Sequence, residues 1–396
     1  MNFADLIAPL APEQFLRDHF GKRPLHIPAD AAAAGRRGLL SWQRLSELLA
    51  VRSHWTPGNI NLLMNSRPVA AEHYMDEVQV QSGTVTRADP AKVDLFLSMG
   101  ASLVANAVED VAPEVREVVA MLGQTFSGTA GANAYCSFKD VQAFDSHCDL
   151  HEVFAVQLEG EKSWRIYANR ADAPVASLSG DDAQALIDRA KGPVLMEVRL
   201  RPGDLLYIPR GFYHDALASS EASLHLTLSV APLNGRILFR MLEEVAMEDP
   251  DFRAYLPDAR EEQGAALSAR LSVLAGKVAA MMQTRRFGLN VEARQRALAL
   301  TAHRVDLPGR PKLAFYARSD RAAHVVKRNE GAFLRHPGGE AALGLSADAA
   351  AWAIDQRAFS AEQMFARYPW MEQNELRALI EMLVRLRLFE SYQPSI

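Results

Sequence analysis

The 396-residue sequence is poor in cysteine, with only Cys136 and Cys148, which argues against a disulfide scaffold and fits a reducing cytoplasm. It also lacks a strong charge of one sign, because its formal net charge of −5 creates no field that would gather nucleic acid or anionic lipid. We find no apolar run of membrane-spanning length and no basic-then-apolar N-terminal segment. These absences predict a soluble, cytoplasmic protein with no membrane partner.

The order of the patterns divides the chain into three parts. Residues 131–232 alternate short strands with turns, which is typical of a jelly roll. After Pro232 the apolar spacing becomes helical, and the stretch 308–311 has the composition of a linker. We therefore predict N-terminal elements with a jelly roll over 1–232, a helical region over 233–305 and a separate domain over 306–396.

Two short motifs carry the chemistry. His147 and Asp149 lie two residues apart, just before the apolar strand predicted at 153–158. Side chains at positions i and i+2 of an extended chain point the same way, so both can reach one metal ion. In the second motif an apolar strand that follows Gly203 is broken by a Pro-Arg-Gly turn, which presents His214 at its far end.

The three side chains form a recognisable ligand set. A lone histidine is more often a hydrogen-bonded structural residue than a ligand, but two ordered motifs favour a metal site. Two imidazoles and one carboxylate on one face of an ion, with the remaining positions open, are the ligands of non-haem Fe(II) oxygenases. His147, Asp149 and His214 are therefore the candidate iron ligands.

The spacing Gly203, Pro209, Gly211, His214 follows the second motif of the cupins, and the stretch from His147 to Gly160 resembles the first. With 133–135, 152–167 and 224–227, these residues resemble the JmjC-type ribosomal oxygenases. The resemblance implies an α+β protein built on a double-stranded β-helix, the cupin jelly roll, with a helical dimerisation region after it. It also implies Fe(II) as cofactor and 2-oxoglutarate and O2 as co-substrates.

The strand around Lys162 predicts how the co-substrate is held. Lys162, Trp164 and Ile166 share one face, so the ammonium is expected inside the barrel, where it needs a counter-charge. An internal pair with Asp or Glu is the common explanation of a buried lysine. The resemblance implies instead that Lys162 meets the distal carboxylate of 2-oxoglutarate. It further implies that Tyr135 and Thr227 assist and that Asn133 lies near the iron end of the co-substrate.

The C-terminal part predicts short strands, three helical stretches and a final strand, an order that resembles a winged helix. Winged helices often bind DNA, yet from residue 324 onward eight Lys and Arg stand against nine Asp and Glu. The predicted third helix carries Glu372, Glu375 and Glu381 against Arg377. A helix without basic support does not enter the major groove readily, so we expect a packing or partner-docking domain without direct DNA binding.

The resemblance implies hydroxylation of a ribosomal protein, at arginine in bacterial members of the family and at histidine in eukaryotic ones. Asp140 and Asp145, before the metal motif, are candidates to receive a cationic side chain. The chemistry requires no further acid or base, so no catalytic residue beyond the metal triad is predicted.

Other functions remain open at this stage. A cupin of another class, such as an isomerase, would use Zn or Mn and would not need Lys162. Demethylation of methyl-lysine uses the same chemistry, and a small-molecule substrate is compatible with the same motifs. A catalytically idle docking protein would use the C-terminal domain and a dimer surface, but the intact triad argues against it.

Overall fold

The structure is a computed structural model that describes residues 1–30, 33–64, 67–138, 145–180, 182–298, 313–328 and 331–392. The chain divides into two compact units, Met1–Ala302 and His303–Ile396. The predicted boundary at 305/306 and the predicted linker at 308–311 lie outside the described residues.

The first unit is organised by an antiparallel sheet. Its strands are β1 (Leu25–Ile27), β2 (Ile60–Met64), β3 (Arg67–Pro68), β6 (Ser102–Ala105), β7 (Gly128–Phe138), β8 (Glu152–Arg170), β9 (Val194–Leu200), β10 (Leu205–Ile208) and β11 (Phe212–Pro232), and β4 (Met75–Val80) and β5 (Gly83–Ala88) form a separate hairpin. Within the described residues the strand order is β1, β10, β8, β11, β7, β6, β2, β3, with β9 paired to β8. The three long strands β7, β8 and β11 therefore lie side by side.

Helices lie before and between the strands of this sheet in sequence, and further helices come after its last strand. They are α1 (Phe3–Ile7), α2 (Pro12–Asp18), α3 (Ala34–Arg37), α4 (Trp42–Leu49), α5 (Pro90–Ser98), α6 (Pro113–Phe126), α7 (Ala183–Ala190), α8 (Arg236–Ala246), α9 (Pro250–Arg253), α10 (Ala265–Gln283) and α11 (Arg285–Leu298). Ser41 caps α4, because its hydroxyl accepts a hydrogen bond from the Arg44 amide at 3.2 Å.

Two local predictions for this unit were incomplete or wrong. The apolar spacing of 94–122 predicts two helices divided near 111–113. The helices α5 and α6 are present, but the prediction missed β6, which lies between them and pairs with β2 and β7. The Ala-, Gly- and Arg-rich stretch 30–38 predicts a loop, but it contains α3, where the buried Arg36 donates hydrogen bonds to the carbonyls of Leu6, Ala8 and Gly203. In both cases partners that are distant in sequence decide the local conformation.

The two faces of the long strands have different neighbours. On β11, Leu224, Leu226 and Leu228 are fully buried in the main hydrophobic core, where each contributes about 1.5–3 kcal/mol. The alternate residues of the same strand face the polar cavity described below. Gly160 permits the bend of β8, because its φ is +61° and a Cβ there would lie 1.9 Å from the Ala222 carbonyl oxygen.

The helical region contradicts the expectation that the chain has no apolar run of membrane-spanning length. The helical stretch Glu261–Gln283 is long and apolar enough, by length and composition alone, to cross a membrane, and none of it is buried. Two charged residues of α10 are paired with acidic residues around α9: Arg270 with Asp251, and Lys277 with Asp249 and Asp251. One side of α10 is thus tied to the protein by ion pairs.

The second unit has its own hydrophobic core. Its elements are β12 (Phe315–Arg318), β13 (His324–Arg328), β14 (Gly331–His336), β15 (Gly339–Ala342), α12 (Ala347–Asp355), β16 (Ala358–Ser360), α13 (Ala361–Arg367), α14 (Gln373–Arg385) and β17 (Phe389–Tyr392). The apolar spacing predicts helices near 347–355, 361–366 and 371–384, and α12, α13 and α14 lie at these places. The pattern predicts short strands at 312–316 and 324–327 but missed β14 and β15. The core includes Leu376, Leu379, Ile380 and Leu383, which lie on one side of α14.

Candidate active site

The structure brings the three predicted metal ligands together. One ligand atom from each of His147, Asp149 and His214 lies within 4.8 Å of the other two. The Nε2 atom of His214 is 3.5 Å from Oδ2 of Asp149, and the His147 and His214 rings are 4.5 Å apart between centroids. Two imidazole nitrogens and one carboxylate at this spacing fit a divalent cation that accepts N and O ligands.

The protonation of the imidazoles also fits a metal site. Nδ1 of His147 lies 2.9 Å from the Asp145 carbonyl oxygen, and Nδ1 of His214 lies 3.0 Å from that of Phe212. A carbonyl only accepts, so each Nδ1 carries a hydrogen, and Nε2 of each ring is the nitrogen that can face a metal. Burial, with the nearby His147, lowers the pKa of His214 to about 4, so this imidazole is neutral near pH 7.

Backbone contacts hold the two ligand segments against each other. His147 and His214 exchange amide-to-carbonyl hydrogen bonds of 3.0 and 2.8 Å, and the Gly211 amide donates to the Asp149 carbonyl at 3.0 Å. Gly211 has a φ of +87°, and a Cβ there would lie 2.5 Å from the Ala171 carbonyl oxygen. The glycine of the turn motif is therefore required by the close approach of backbones.

The triad opens into a cavity of about 290 Å³ between β7, β8 and β11. Besides the triad, it is lined by Asn133, Tyr135, His151, Val153, Lys162, Trp164, Ala216, His225 and Thr227. All four residues predicted to hold 2-oxoglutarate are therefore in the same cavity as the metal ligands.

Lys162 lies in this cavity with no counter-charge from the part of the chain that the structure describes. The residue is 3% exposed, and its Nζ is 3.4 Å from the Ser137 hydroxyl and 6.0 Å from the centre of the Trp164 ring. No carboxylate among the described residues pairs with it, so they do not provide the internal ion pair considered from the sequence. Burial lowers the pKa of Lys162 to about 8.

Aromatic rings surround the polar groups of the cavity. Tyr135 stacks on His225 with ring centroids 4.7 Å apart and an interplanar angle of 6°, and Trp164 meets His225 edge-on at 5.4 Å. Burial, with the charge of Asp149, raises the pKa of Tyr135 to about 12, so its hydroxyl stays protonated and can donate. The side-chain Oδ1 of Asn133 accepts a hydrogen bond of 3.3 Å from the Ala107 amide.

His225 received no role from the sequence, although its strand parity places it on the same face as Thr227. The residue is 2% exposed, and its Nδ1 has no hydrogen-bond partner among the described residues. Burial, with the charge of Lys162, lowers its pKa well below the usual value. His225 therefore adds an uncharged ring to the cavity wall.

A polar cluster behind the triad was missed entirely. We call Ser146, Arg165, Tyr167, Lys191 and Asp215 the Asp215 cluster. Ser146, Arg165 and Tyr167 donate hydrogen bonds to the Asp215 carboxylate, and Lys191 donates to the Ser146 hydroxyl. Burial acts to raise the pKa of Asp215, but hydrogen bonds from Tyr167, Ser146 and Arg165 outweigh it and lower the pKa. Only the strand register, which sets Asp215 opposite Arg165, reveals this group.

Of the two acidic residues predicted to receive a cationic substrate side chain, the structure describes only Asp145. Asp145 is exposed, and its carbonyl contacts His147 as described above. Asp140 lies outside the described residues. Asp149, one of the candidate ligands, has a side chain that is 28% exposed.

Comparison with protein-family models finds a match to the JmjC domain over residues 110–238. The chain is 33% identical over 262 residues to ribosomal oxygenase 1 of Gallus gallus, which covers 64% of this chain and 42% of that protein. It is 33% identical over 229 residues to the bifunctional lysine-specific demethylase and histidyl-hydroxylase NO66 of Drosophila persimilis, which covers 58% of this chain and 31% of that protein. The chain thus spans less than half the length of these relatives.

Among solved structures, a similar fold is found in YcfD, a ribosomal oxygenase from Escherichia coli in complex with cobalt and succinic acid. That similarity has a TM-score of 0.50 at 16% identity and covers 97% of this chain and 98% of the other. It confirms the predicted cupin-type fold of mixed helices and strands. The sequence matches confirm the resemblance to JmjC-type ribosomal oxygenases.

Proposed function

We propose, from the match of residues 110–238 to the JmjC domain, that the chain is an Fe(II)- and 2-oxoglutarate-dependent oxygenase that hydroxylates a side chain of a ribosomal protein. The names of its relatives support this activity, since they include ribosomal oxygenases and a histidyl-hydroxylase. The cobalt and succinic acid bound to the similar Escherichia coli structure are a metal ion and the product of 2-oxoglutarate decarboxylation.

One observation carries the proposal: a buried ammonium without a carboxylate partner among the described residues shares a cavity with a His-Asp-His cluster. Desolvating an unpaired ammonium costs several kcal/mol, which a bound anion would offset. An oxo acid that chelates a metal at one end and presents a carboxylate at the other satisfies both features. A cupin that uses only a metal leaves Lys162 unexplained.

Each residue then has a distinct task. His147, Asp149 and His214 would hold one face of Fe(II) and leave the other positions open. Lys162, assisted by the hydroxyls of Tyr135 and Thr227, would bind the distal carboxylate of 2-oxoglutarate. Asn133 would lie near the metal end, which completes the predicted set.

Bound iron, with 2-oxoglutarate and O2, would supply the oxidation that converts a C–H bond to C–OH while the oxo acid becomes succinate and CO2. The protein's own contribution is placement and exclusion of water. The rings of Trp164 and His225 and the side chain of Val153 surround the polar groups with apolar surface. In this low-polarity surrounding, the electrostatic attraction between the Lys162 ammonium and a bound carboxylate is stronger than it would be in water.

For the target residue we propose arginine, with histidine as the second candidate. The exposed Asp145 beside the metal segment, which could pair with a guanidinium, supports arginine. The histidyl-hydroxylase name of the Drosophila relative favours histidine. The same name includes a lysine demethylase, so removal of a methyl group from lysine is the alternative reaction.

Mass spectrometry of ribosomal proteins tests this function. We would compare intact masses from cells with and without the gene, and from cells that carry only the His214→Ala variant. A ribosomal protein heavier by one oxygen atom only with the wild-type gene would support the proposal, and peptide fragmentation would locate the oxygen on arginine or histidine. Loss of a methyl group would identify a demethylase, and identical masses would contradict a ribosomal substrate.

We propose that the helical region over 233–305 forms a homodimer interface. Large apolar side chains are exposed on α8, α10 and α11, which pack together: Phe239, Leu271, Val273, Met282 and Leu289. Monomeric soluble proteins rarely expose large contiguous apolar surfaces, and a twofold partner is a common way to cover them. The charges of Arg270 and Lys277 on α10 favour a protein partner over a lipid one.

Light scattering is expected to give a mass about twice the 43.6 kDa of one chain. Phe239, which is 75% exposed, would be buried in the dimer, so Phe239→Asp should shift the mass toward that of one chain. Leu95→Asp, at an exposed leucine of α5, is the control and should remain dimeric. A monomeric wild-type protein at micromolar concentration, or its flotation with lipid vesicles, would contradict the proposal.

We propose that the second unit is a winged-helix-like domain over 306–396 that does not bind DNA directly. Its α14 carries Glu375 and Glu381 beside Arg377 and Arg385, so this helix has no excess of positive charge. We expect no appreciable affinity for duplex DNA at physiological salt. A salt-sensitive gel shift by the full chain, lost when residues 306–396 are deleted, would refute this expectation.

We further propose a cytoplasmic location. The free thiols of Cys136 and Cys148 support a reducing compartment, and cell fractionation would test the location.

We also propose that the chain divides into three parts at 232/233 and 305/306. The change from strand to helix between β11 and α8 supports the first boundary, and limited proteolysis would test the division.

A further inference from the structure

We propose that Asp215 is a positioning residue: through the Asp215 cluster it fixes the relative placement of the two chain segments that carry His147 and His214. The inference rests on the proposed metal site, and it concerns a residue that does not itself reach the metal. Asp215 follows His214 on β11, so the two side chains point to opposite faces of the strand.

The Asp215 carboxylate accepts three hydrogen bonds from side chains of other segments. Its Oδ2 accepts from the Ser146 hydroxyl at 2.7 Å and from the Tyr167 hydroxyl at 2.6 Å, and its Oδ1 accepts from Nε of Arg165 at 2.8 Å. The Asp215 side chain is only 5% exposed. Hydrogen bonds to a buried carboxylate are among the stronger ones in proteins, and each fixes a direction as well as a distance.

The partner that matters most is Ser146, because it immediately precedes His147. His147 lies in no extended strand, and its backbone meets β11 only as an isolated bridge to His214. The Ser146–Asp215 bond is a side-chain link between the same two segments, one residue away from each ligand. A rotation of either ligand segment would stretch this bond.

Helix α7 adds a second layer to the cluster. Nζ of Lys191, just after α7, donates to the Ser146 hydroxyl at 3.0 Å and to Asp188 at 2.7 Å, and it lies 4.6 Å from the centre of the Tyr167 ring. The Ser146 hydroxyl is thus held from both sides, by Lys191 as donor and by Asp215 as acceptor. The hydroxyl has little freedom to leave its position beside His147.

Binding of Co(II) to the purified protein, without 2-oxoglutarate or substrate, tests the proposal. Asp215→Asn keeps the shape of the side chain but replaces one acceptor oxygen with a donor. We expect Co(II) affinity to fall by about 10–100-fold, as for the loss of other outer-shell partners, with a changed visible absorption spectrum of the bound Co(II). Tyr167→Phe, which removes one donor, should show the same change to a smaller extent.

Asp204→Asn is the matched control. Asp204 is equally buried and also accepts from three partners: Nε2 of His26 at 3.1 Å, the Ala29 amide at 2.6 Å and the Arg201 amide at 3.0 Å. It lines no part of the triad cavity. This variant should lose thermal stability while its Co(II) affinity and spectrum stay those of the wild type.

The possible results distinguish failure of the proposed metal site from failure of the positioning role of Asp215. Wild-type protein that binds no Co(II) would overturn the proposed metal function and this inference with it. If wild type binds Co(II) and Asp215→Asn binds it with unchanged affinity and spectrum, Asp215 is only structural and the positioning role alone is refuted. Should Asp215→Asn fail to fold, unchanged Co(II) spectra in both Ser146→Ala and Tyr167→Phe would refute it equally.

Discussion

Replacing His147 or Asp149 with alanine is expected to abolish the conversion of 2-oxoglutarate to succinate while the protein remains folded. Each substitution removes one of the three proposed ligands, and the two remaining side chains would hold Fe(II) weakly and with the wrong geometry. The loss should exceed the about 10–100-fold that follows loss of an outer-shell partner. Both side chains are only partly buried, so no large cavity forms in the core.

The measurement is succinate release at saturating Fe(II), together with circular dichroism and Fe(II) or Mn(II) titration. His73→Ala, at an exposed histidine outside the cavity, is the control and should keep wild-type turnover. Wild-type activity in either ligand variant would show that this cluster is not the metal site. Wild-type metal affinity combined with lost activity would place the defect elsewhere than in ligation.

The second large effect is expected from Lys162→Ala, which should raise the 2-oxoglutarate concentration required for half-maximal activity by about one to two decades. The variant loses a charge-assisted hydrogen bond worth about 1.5–3 kcal/mol, and about 1.4 kcal/mol corresponds to a tenfold change in affinity. Metal affinity should change little, because Lys162 is not one of the ligands.

Raising the pH should weaken 2-oxoglutarate binding in the same way as Lys162→Ala, but to a smaller extent. Burial lowers the pKa of Lys162 to about 8 in the free protein. Below that pH the ammonium is charged and 2-oxoglutarate affinity should be flat, and above it the neutral amine attracts the carboxylate less, so affinity should fall as pH rises. This fall should disappear in Lys162→Met.

The Lys162→Met variant also distinguishes an anion site from an internal ion pair. If the ammonium is unpaired in the free protein, methionine removes a desolvation cost, and the free energy of unfolding should stay equal or increase. If a carboxylate pairs with Lys162, methionine leaves that carboxylate buried and the protein should be destabilised. Lys92→Met, at a half-exposed lysine paired with Asp76, is the control for loss of an ordinary surface pair.

The two sets of variants together decide between the proposed oxygenase and another metal-dependent cupin. An oxygenase of the proposed kind needs both the triad and Lys162. A cupin that does not use 2-oxoglutarate would need the triad alone, and Lys162→Ala would then leave its turnover unchanged. Their combined pattern is therefore more informative than either result by itself.

The sequence by itself indicated the three side chains of the His-Asp-His cluster and the strand faces that line the cavity beside it. His147 and Asp149 are close in the chain, and the Pro-Arg-Gly turn before His214 is a local structure, so their geometry follows from short-range rules. Strand alternation likewise predicted that Lys162 faces inward, which its burial bears out.

Only the tertiary structure decided which groups meet across strands. The register that sets Asp215 opposite Arg165, and the approach of Ser146 to the same carboxylate, depend on pairing between segments some 50 to 70 residues apart. The same holds for the absence of a carboxylate beside Lys162 among the described residues, and for the exposure of α10 despite its apolar sequence. Such facts depend on long-range packing, and local periodicity contains no information about which distant residue arrives at a given place.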